Sequence, residues 1–408
     1  MLIAGAGETG ARAAAALRET GWSGPITLVG DEAHAPYERP PLSKAVILDA
    51  TDPKPATILG PQRLRDLDIT LLAGRRVERI DRAARRVRLS DGTVLDYAKL
   101  LLATGASPRR LPIQGAGPDN VLYLRNFADA LRLRARLGQG GHLILIGGGF
   151  IGLEIAAGAR SRGVAVTLLE AAPRLLSRGV PAPAAALIAA RHREAGVRIV
   201  TGARIASISS EGDCHRIRLE DGSCLDADGI VAGIGALPNT ELAASAGLVI
   251  ENGVAVDATL RTDDADIFAA GDCCSFPHPL YGDRRIRLEA WRNAQDQGNV
   301  VARNMLGAGE AYEAVPWFWS DQYELCLQTA GLADGAVRLV TRDLGDGAAL
   351  WFQLDTGGRL LSATGLGPIG KVAREVRLAE MLIAARAHPD PLALASSGQA
   401  LKAMLRAA

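Results

Sequence analysis

The sequence predicts an α/β protein with two Rossmann-like dinucleotide-binding domains and a small C-terminal α+β domain, and three observations carry that prediction. The stretch 143–170, LILIGGGFIGLEIAAGARSRGVAVTLLE, reads as a strand, a glycine turn, a helix and a second strand closed by an acid. The opening residues, MLIAGAGETG, carry the same glycine spacing. Segments 86–105 and 216–235 align without gaps, sharing Arg, Arg, Leu, Asp-Gly, Leu, Asp and a final Gly. A self-repeat of that length points to duplication of one nucleotide-binding unit, with copies near 1–108 and 109–237.

In the first copy Gly5, Gly7 and Gly10 form the fingerprint, Ala11 to Arg18 supplies its helix, and Ile26 to Val29 is the next strand. Asp31 falls 26 residues past Gly5 with Glu32 beside it, and either acid is placed to meet a ribose. The stretch before Gly5 is short, which implies a weaker hold on the nucleotide or a true start upstream of Met1. YERPPLSK (37–44) follows. Its paired prolines stiffen an extended segment and oppose helix, while Arg39 and Lys44 bring positive charge. RVRLSDGTVLDYAKLLLATG then reads as a hairpin turning at Asp-Gly and an apolar strand ending in glycine.

In the second copy Gly147 permits the tight turn, Gly149 lets the backbone approach a pyrophosphate seated on the helix N-terminus, and Gly152 lets helix and strand pack closely. Glu170, 23 residues past Gly147, suits the two hydroxyls of an adenosine ribose. A carboxylate there repels a 2′-phosphate, so NADH is favoured over NADPH.

DADIFAAGDCC (264–274) is a short strand that delivers Gly271 and Asp272 to a turn, where Asp272 either caps the next segment or accepts from a ligand hydroxyl. EAWRNAQDQG (289–298) starts a helix whose polar groups face a ligand or solvent. VPWFWSDQY (315–323) is the densest aromatic cluster, and in an extended segment Trp317 and Trp319 point the same way. Packing under a long loop is its plain structural explanation. Alternating patterns at 336–340 and 348–354, then helical periodicity over 372–386, predict the α+β domain, with no recognisable chemistry of its own.

Composition excludes several function classes. A formal net charge of +1 provides no field to gather nucleic acid or an anionic membrane. No run reaches the ~18 to 20 apolar residues of a spanning helix, and the first residues lack a signal-peptide pattern, so a cytoplasmic location is expected. The five cysteines (214, 224, 273, 274, 326) show neither CxxC nor metal-site clustering, which predicts free thiols and no bound metal. The six histidines (34, 142, 192, 215, 278, 388) are scattered, and neither GxSxG nor HExxH occurs. Hydride transfer needs no such general base. Two dinucleotide sites on one chain bring two redox cofactors together. One is a nicotinamide, and FAD fits the other because its ADP half uses the same fingerprint. With no iron–sulfur ligands present, a one-electron acceptor must be a separate protein.

Through GAGETG, YERPPLSK, LLLATGASPRRLP, LILIGGGFIGLE, GIGALPN, AAGD, EAWRNAQDQG and PWFWSDQY, the chain closely resembles the FAD-dependent NADH:ferredoxin reductases that serve bacterial aromatic-ring dioxygenases and cytochromes P450. The resemblance covers essentially the whole chain. It implies a glutathione-reductase-like fold with an FAD-binding domain in two segments (1–108 and 238–316), an NADH-binding domain (109–237) and a C-terminal domain (317–408). It implies that Gly5, Gly7, Gly10 and Asp31 meet the FAD pyrophosphate and ribose, and that Arg39 and Lys44 belong to the flavin segment, with Lys44 beside the isoalloxazine. Thr104, Gly105, Arg109, Asp272, Glu289 and Trp291 complete the implied FAD site. Gly147, Gly149, Gly152, Glu154, Glu170 and Gly235 form the implied NADH site. Glu154 would lie near nicotinamide and flavin, although a first-turn helix acid favoured by the dipole is the plainer reading. Trp319 would lie on the side of the flavin away from the nicotinamide.

The implied partner is a [2Fe–2S] ferredoxin that docks transiently, as monomer or homodimer of the reductase. Three alternatives share much of this pattern. A flavin disulfide reductase or NADH oxidase needs a reactive cysteine near the flavin, whereas the first cysteine here is Cys214. A redox-sensing flavoprotein would bind partners without turnover, and a rubredoxin reductase would differ only in its acceptor.

Overall fold

The computed structural model describes residues 1–48, 52–212 and 214–405. They form two compact units, one comprising 1–38, 55–107 and 237–316, the other the described residues within 39–54, 108–236 and 317–405.

The first unit is built on a five-stranded sheet in the order Ile267–Ala269, Leu100–Leu102, Leu2–Ala4, Ile26–Val29, Ile69–Leu72, with every pair parallel. The three central and edge strands 267–269, 100–102 and 2–4 are buried throughout, as a parallel sheet covered on both faces requires, and this is why they read as unbroken apolar runs. Helix Glu8–Glu19 buries its alanine face, and helix Trp291–Met305 lies against it. A side chain at Gly298 would meet the Thr9 carbonyl oxygen at 2.9 Å, so the close approach of the two helices depends on glycine there.

The second unit contains a four-stranded parallel sheet in the order Val197–Thr201, Ala165–Glu170, His142–Ile146, Gly229–Ala232. Residues 317–368 add a five-stranded antiparallel sheet in the order Trp317–Gln322, Leu325–Gly331, Leu360–Pro368, Ala348–Leu354, Arg338–Gly345. Helix Ala373–Ala384 packs on this sheet over Gly365, where an added Cβ would lie 2.7 Å from Val376. The α+β expectation for this region is met.

The duplication is visible in detail. Each unit carries a three-stranded antiparallel meander, Val77–Asp81, Arg86–Leu89, Val94–Asp96 in the first and Ile205–Glu211, Cys214–Leu219, Cys224–Ala227 in the second. At the two Asp-Gly turns, Asp91 accepts from the Thr93 amide at 3.0 Å and Asp221 from the Ser223 amide at 2.9 Å. The aligned cross-strand pairs Arg86–Asp96 and Arg216–Asp226 both close at 2.7 Å. Both pairs are exposed and add little stability. Their value is as a record of common origin.

One expectation is corrected. The paired prolines do not hold an extended segment: Pro40–Ser43 forms a 3-10 turn, followed directly by the short helix Ala45–Leu48. Both prolines occupy the first positions of the turn, where no N–H is needed, and the Leu42 amide donates back to the Arg39 carbonyl at 2.9 Å. The turn aims Ser43 inward, and the site below depends on that. Among the described residues, no helix is long and apolar enough to cross a membrane, and no group of three or more His, Cys, Asp or Glu side chains could hold a metal.

Candidate functional site

Each unit carries one glycine cradle, and the two are built alike. The first glycine of each turn, Gly5 (φ +119°) and Gly147 (φ +107°), has a backbone conformation that disfavours a side chain, and a Cβ would meet the Ala103 or Gly233 carbonyl oxygen at 2.0 or 2.4 Å. A Cβ on the third, Gly10 or Gly152, would press on the carbonyl oxygen of the first at 1.9 or 2.2 Å. The middle glycines, Gly7 and Gly149, differ: nothing lies within 4 Å of an added Cβ. Each is the N-cap of a 12-residue helix, Glu8–Glu19 or Phe150–Ser161, and neither helix receives a side-chain cap. Open space over uncapped amides at the positive end of a helix fits a pyrophosphate.

The acids beyond the cradles are held differently. Glu170 accepts from the Gly148 amide at 2.6 Å and the Ala172 amide at 2.7 Å, so its carboxylate is fixed beside the second glycine turn. In the first unit the Tyr37 hydroxyl donates to Glu32, while Asp31 is exposed at the end of its strand.

Several other expected site residues of the first unit gather at the carboxyl ends of its sheet. Thr104 and Gly105 follow strand Leu100–Leu102 and are tied to Asn239: the Thr104 hydroxyl donates to the Asn239 carbonyl, the Asn239 side chain donates to the Thr104 carbonyl, both at 2.7 Å, and the Asn239 amide donates to the Gly105 carbonyl at 3.0 Å. Asp272 sits in the 3-10 turn Gly271–Cys273, anchored where the Gly271 amide donates to Gln297 at 2.7 Å. Arg287 pairs with Glu289 at 2.5 Å, and Trp291 opens the helix Trp291–Met305. Asn239 and Gln297 carry no signal beyond their motifs in the sequence. Cys273 and Cys274 are fully buried beside this turn, and burial pushes both thiols above their usual range, Cys274 well above it.

In the second unit the Arg109 amide donates to the Gly235 carbonyl at 2.9 Å, with Arg109 itself exposed, and Arg39 donates to the Arg125 carbonyl at 2.5 Å. The remaining three expected residues meet at one place. Glu154, the fifth residue of helix Phe150–Ser161 and past its first turn, is only 7% exposed. Lys44 Nζ reaches its Oε1 at 2.9 Å, the Ser43 hydroxyl donates to Oε2 at 2.5 Å, and the Ser320 hydroxyl donates to Oε1 at 2.7 Å. The plainer reading of Glu154 as a first-turn helix acid is corrected: no acid stands in the first turn of this helix, and Glu154 is a buried carboxylate held by three side-chain donors. Lys44 Nζ also lies 5.7 Å from the centre of the Trp319 ring, which stacks on Trp317 at 5.4 Å and 22°. A buried carboxylate, a partly exposed cation and an aromatic pair are thus held as one group. Ser43 and Ser320, which lie inside YERPPLSK and PWFWSDQY but have no role assigned from the sequence, complete it. Strand Trp317–Gln322, through Trp317, Trp319 and Ser320, supplies half of it.

Behind Ser320 lies His192, fully buried, whose pKa falls below its ordinary 6.5 because burial disfavours the imidazolium and Arg191 adds to the effect, against a hydrogen bond to Gln322. His278 shifts the same way, chiefly by burial. The unfolded chain therefore takes up these protons at a higher pH than the folded one. Stability is level above pH 6.5 as far as these groups are concerned and is lost as pH falls below it. Thermal melts from about pH 8 to about pH 5 should show this loss, and a His192→Gln variant should show a shallower one. Equal slopes would mean that His192 is protonated in the fold.

Residues 1–298 match the pyridine nucleotide-disulphide oxidoreductase family, and residues 317–405 match the reductase C-terminal domain. The chain is 41% identical over 407 residues to the anthranilate 1,2-dioxygenase system ferredoxin–NAD(+) reductase component of Burkholderia cepacia, covering 99% of this chain and 98% of that protein. The ferredoxin reductase for the CYP199A2 system from Rhodopseudomonas palustris superposes with a TM-score of 0.93 at 37% identity, covering 98% of both chains. Putidaredoxin reductase, in its covalent complex with putidaredoxin, gives 0.92 at 37% identity, over 100% of this chain and 98% of that one. The resemblance drawn from the motifs is borne out. The chain belongs to the pyridine nucleotide-disulphide oxidoreductase family, and within it to the ferredoxin–NAD(+) reductases that carry a reductase C-terminal domain.

Proposed function

We propose that this protein passes electrons from NADH through FAD to a [2Fe–2S] ferredoxin, which in turn feeds an oxygenase of the Rieske dioxygenase or cytochrome P450 kind. The observation that carries the reading is the pair of matched cradles, one in each unit, each with an open middle glycine over an uncapped helix. Bound FAD supplies the chemistry that neither cradle has, accepting a hydride from NADH and giving up electrons one at a time.

We assign the first cradle, with Asp31, Thr104, Gly105, Asp272, Glu289 and Trp291, to FAD, and the second, with Glu170 and Gly235, to NADH. The corresponding domains are 1–108 with 238–316, and 109–237, followed by 317–408. Gly7 and Gly149 let a pyrophosphate approach the backbone, and Glu170, fixed by two amides, accepts from ribose hydroxyls and opposes a 2′-phosphate. Lys44 supplies positive charge, Glu154 orients that charge, and Trp319 covers it with an aromatic face. Arg39 and Arg109 are assigned to the FAD side on the strength of their motifs.

A disulfide reductase is disfavoured by the thiols. A reactive cysteine is exposed with a lowered pKa; Cys273, Cys274 and Cys326 are buried and all shifted upward, and the two exposed thiols, Cys214 and Cys224, lie on the antiparallel meander of the second unit, not at either glycine cradle. The ferredoxin step is tested by cytochrome c reduction with NADH and a panel of [2Fe–2S] ferredoxins. Reduction that depends on one of them is expected. Reduction that proceeds only with a rubredoxin, a dithiol substrate or oxygen would replace the ferredoxin assignment.

A further inference from the structure

The carboxylate of Glu154 is the end of a buried chain of side chains running back through the second unit. Ser320 Oγ is 2.7 Å from Glu154 Oε1, Gln322 Nε2 is 3.0 Å from Ser320 Oγ, His192 Nε2 is 2.8 Å from Gln322 Oε1, and the Tyr323 hydroxyl is 3.3 Å from His192 Nδ1. Ser320, Gln322 and His192 are 1%, 4% and 0% exposed. Buried polar groups at this density are costly unless every one is paired, and here each has a partner in line.

The chemistry of the end group sets the direction of the whole chain. Ion-paired with Lys44, the Glu154 carboxylate only accepts, so the Ser320 hydroxyl donates to it. Ser320 Oγ must then receive, and the side chain that reaches it is the amide nitrogen of Gln322. That turns the Gln322 carbonyl toward His192, which has to carry its proton on Nε2. His192 Nδ1 is left bare and accepts from Tyr323. Burial pushes the Tyr323 hydroxyl up to about 12, so it remains a donor. The far end is clamped at the surface: Arg191 lies 4.2 Å from the centre of the Tyr323 ring and binds Glu324 through two bonds of 2.6 and 3.0 Å.

We propose that Ser320, Gln322 and His192 are positioning residues for the NADH reaction: four hydrogen bonds, all donating toward Glu154, fix the carboxylate that in turn fixes Lys44. This inference rests on the reading that Lys44 and Glu154 serve that reaction. The chain positions and does not conduct, because the Gln322 amide, unlike a hydroxyl or imidazole, does not pass a proton on. Its elements come from the helix Ala182–Glu194 and the strand Trp317–Gln322, so it also gives the C-terminal region a stated part in the site.

Two readouts test it on the full-length holoprotein and on the chain freed of flavin. Imidazole ¹⁵N spectra of the flavin-free chain should show His192 as the Nε2–H tautomer, and Gln322→Leu should abolish that preference. Stopped-flow bleaching of the flavin by NADH should show a limiting rate about ten-fold lower in Ser320→Ala and His192→Phe, at unchanged half-saturating NADH. His192→Gln keeps an N–H donor at the Nε2 position and should recover most of the rate, as should Ser320→Thr. The proposal is overturned if His192 carries its proton on Nδ1, if His192→Phe bleaches at the wild-type rate, or if His192→Gln is as slow as His192→Phe while both melt like wild type. Failure of NADH to bleach the wild-type protein would instead sink the redox reading, and the tautomer would still decide whether the chain runs as described.

Discussion

A Gly149→Val variant is expected to purify as a folded, yellow protein that NADH no longer bleaches, and a Gly7→Val variant as a folded protein without flavin. No atom lies within 4 Å of a Cβ at either glycine, so the side chain is accommodated by the fold and enters only the space assigned to a pyrophosphate. The loss should exceed about 10²-fold in affinity, since a ligand phosphate cannot keep its hydrogen bonds to the helix amides when displaced by a branched side chain. The neighbouring glycines provide the control. Valine at Gly10 or Gly152 would drive a Cβ to 1.9 or 2.2 Å from a backbone carbonyl oxygen, and those variants should fail to fold rather than lose one ligand. Visible spectra, thermal melts and NADH titration separate the classes. A Gly149→Val protein that is bleached normally would show that nicotinamide nucleotide binds elsewhere.

The second large effect is expected at Lys44. Lys44→Met removes the cation from a carboxylate that is 7% exposed and leaves it with two hydroxyls as its side-chain donors. Stranding a buried charge costs about 2 kcal/mol here, less than for a sealed pair because the lysine is itself a quarter exposed. The double variant Lys44→Met/Glu154→Gln removes the charge as well and should regain most of that stability. Activity should not follow it. Both variants lose the positive charge at the site, and each should oxidise NADH about 10²-fold more slowly than wild type. Melting temperature and turnover therefore move apart in the double variant. If they recover together, Lys44 acts only by holding Glu154 in the fold.

Legibility of this protein in its sequence divides along a physical line. Strand Leu100–Leu102, the fingerprint helices and the Asp-Gly hairpins are readable because each is specified by neighbours in sequence: an unbroken apolar run for a strand covered on both faces, or a turn residue at a fixed place. The Pro-Pro pair is misread for a related reason, since its effect depends on whether it falls inside a helix or at its first turn. The partners of Glu154 have no such local code. Lys44, Ser43 and Ser320 stand 110, 111 and 166 positions away from it, and His192 stands 130 from Gln322. In the sequence His192 is one of six scattered histidines, and Ser320 is a serine between a tryptophan and an aspartate. Only burial shows them to be part of the site.

The claim that one chain holds two nucleotides for one electron path is tested most directly by titrating the purified, FAD-reconstituted protein with NADH under anaerobic conditions while recording its visible spectrum and its flavin content per chain. The cradles predict about one FAD per chain and complete bleaching by about one equivalent of NADH, with NADPH needed in large excess. A folded chain that takes up no FAD, or one whose bound flavin NADH leaves yellow, would contradict it.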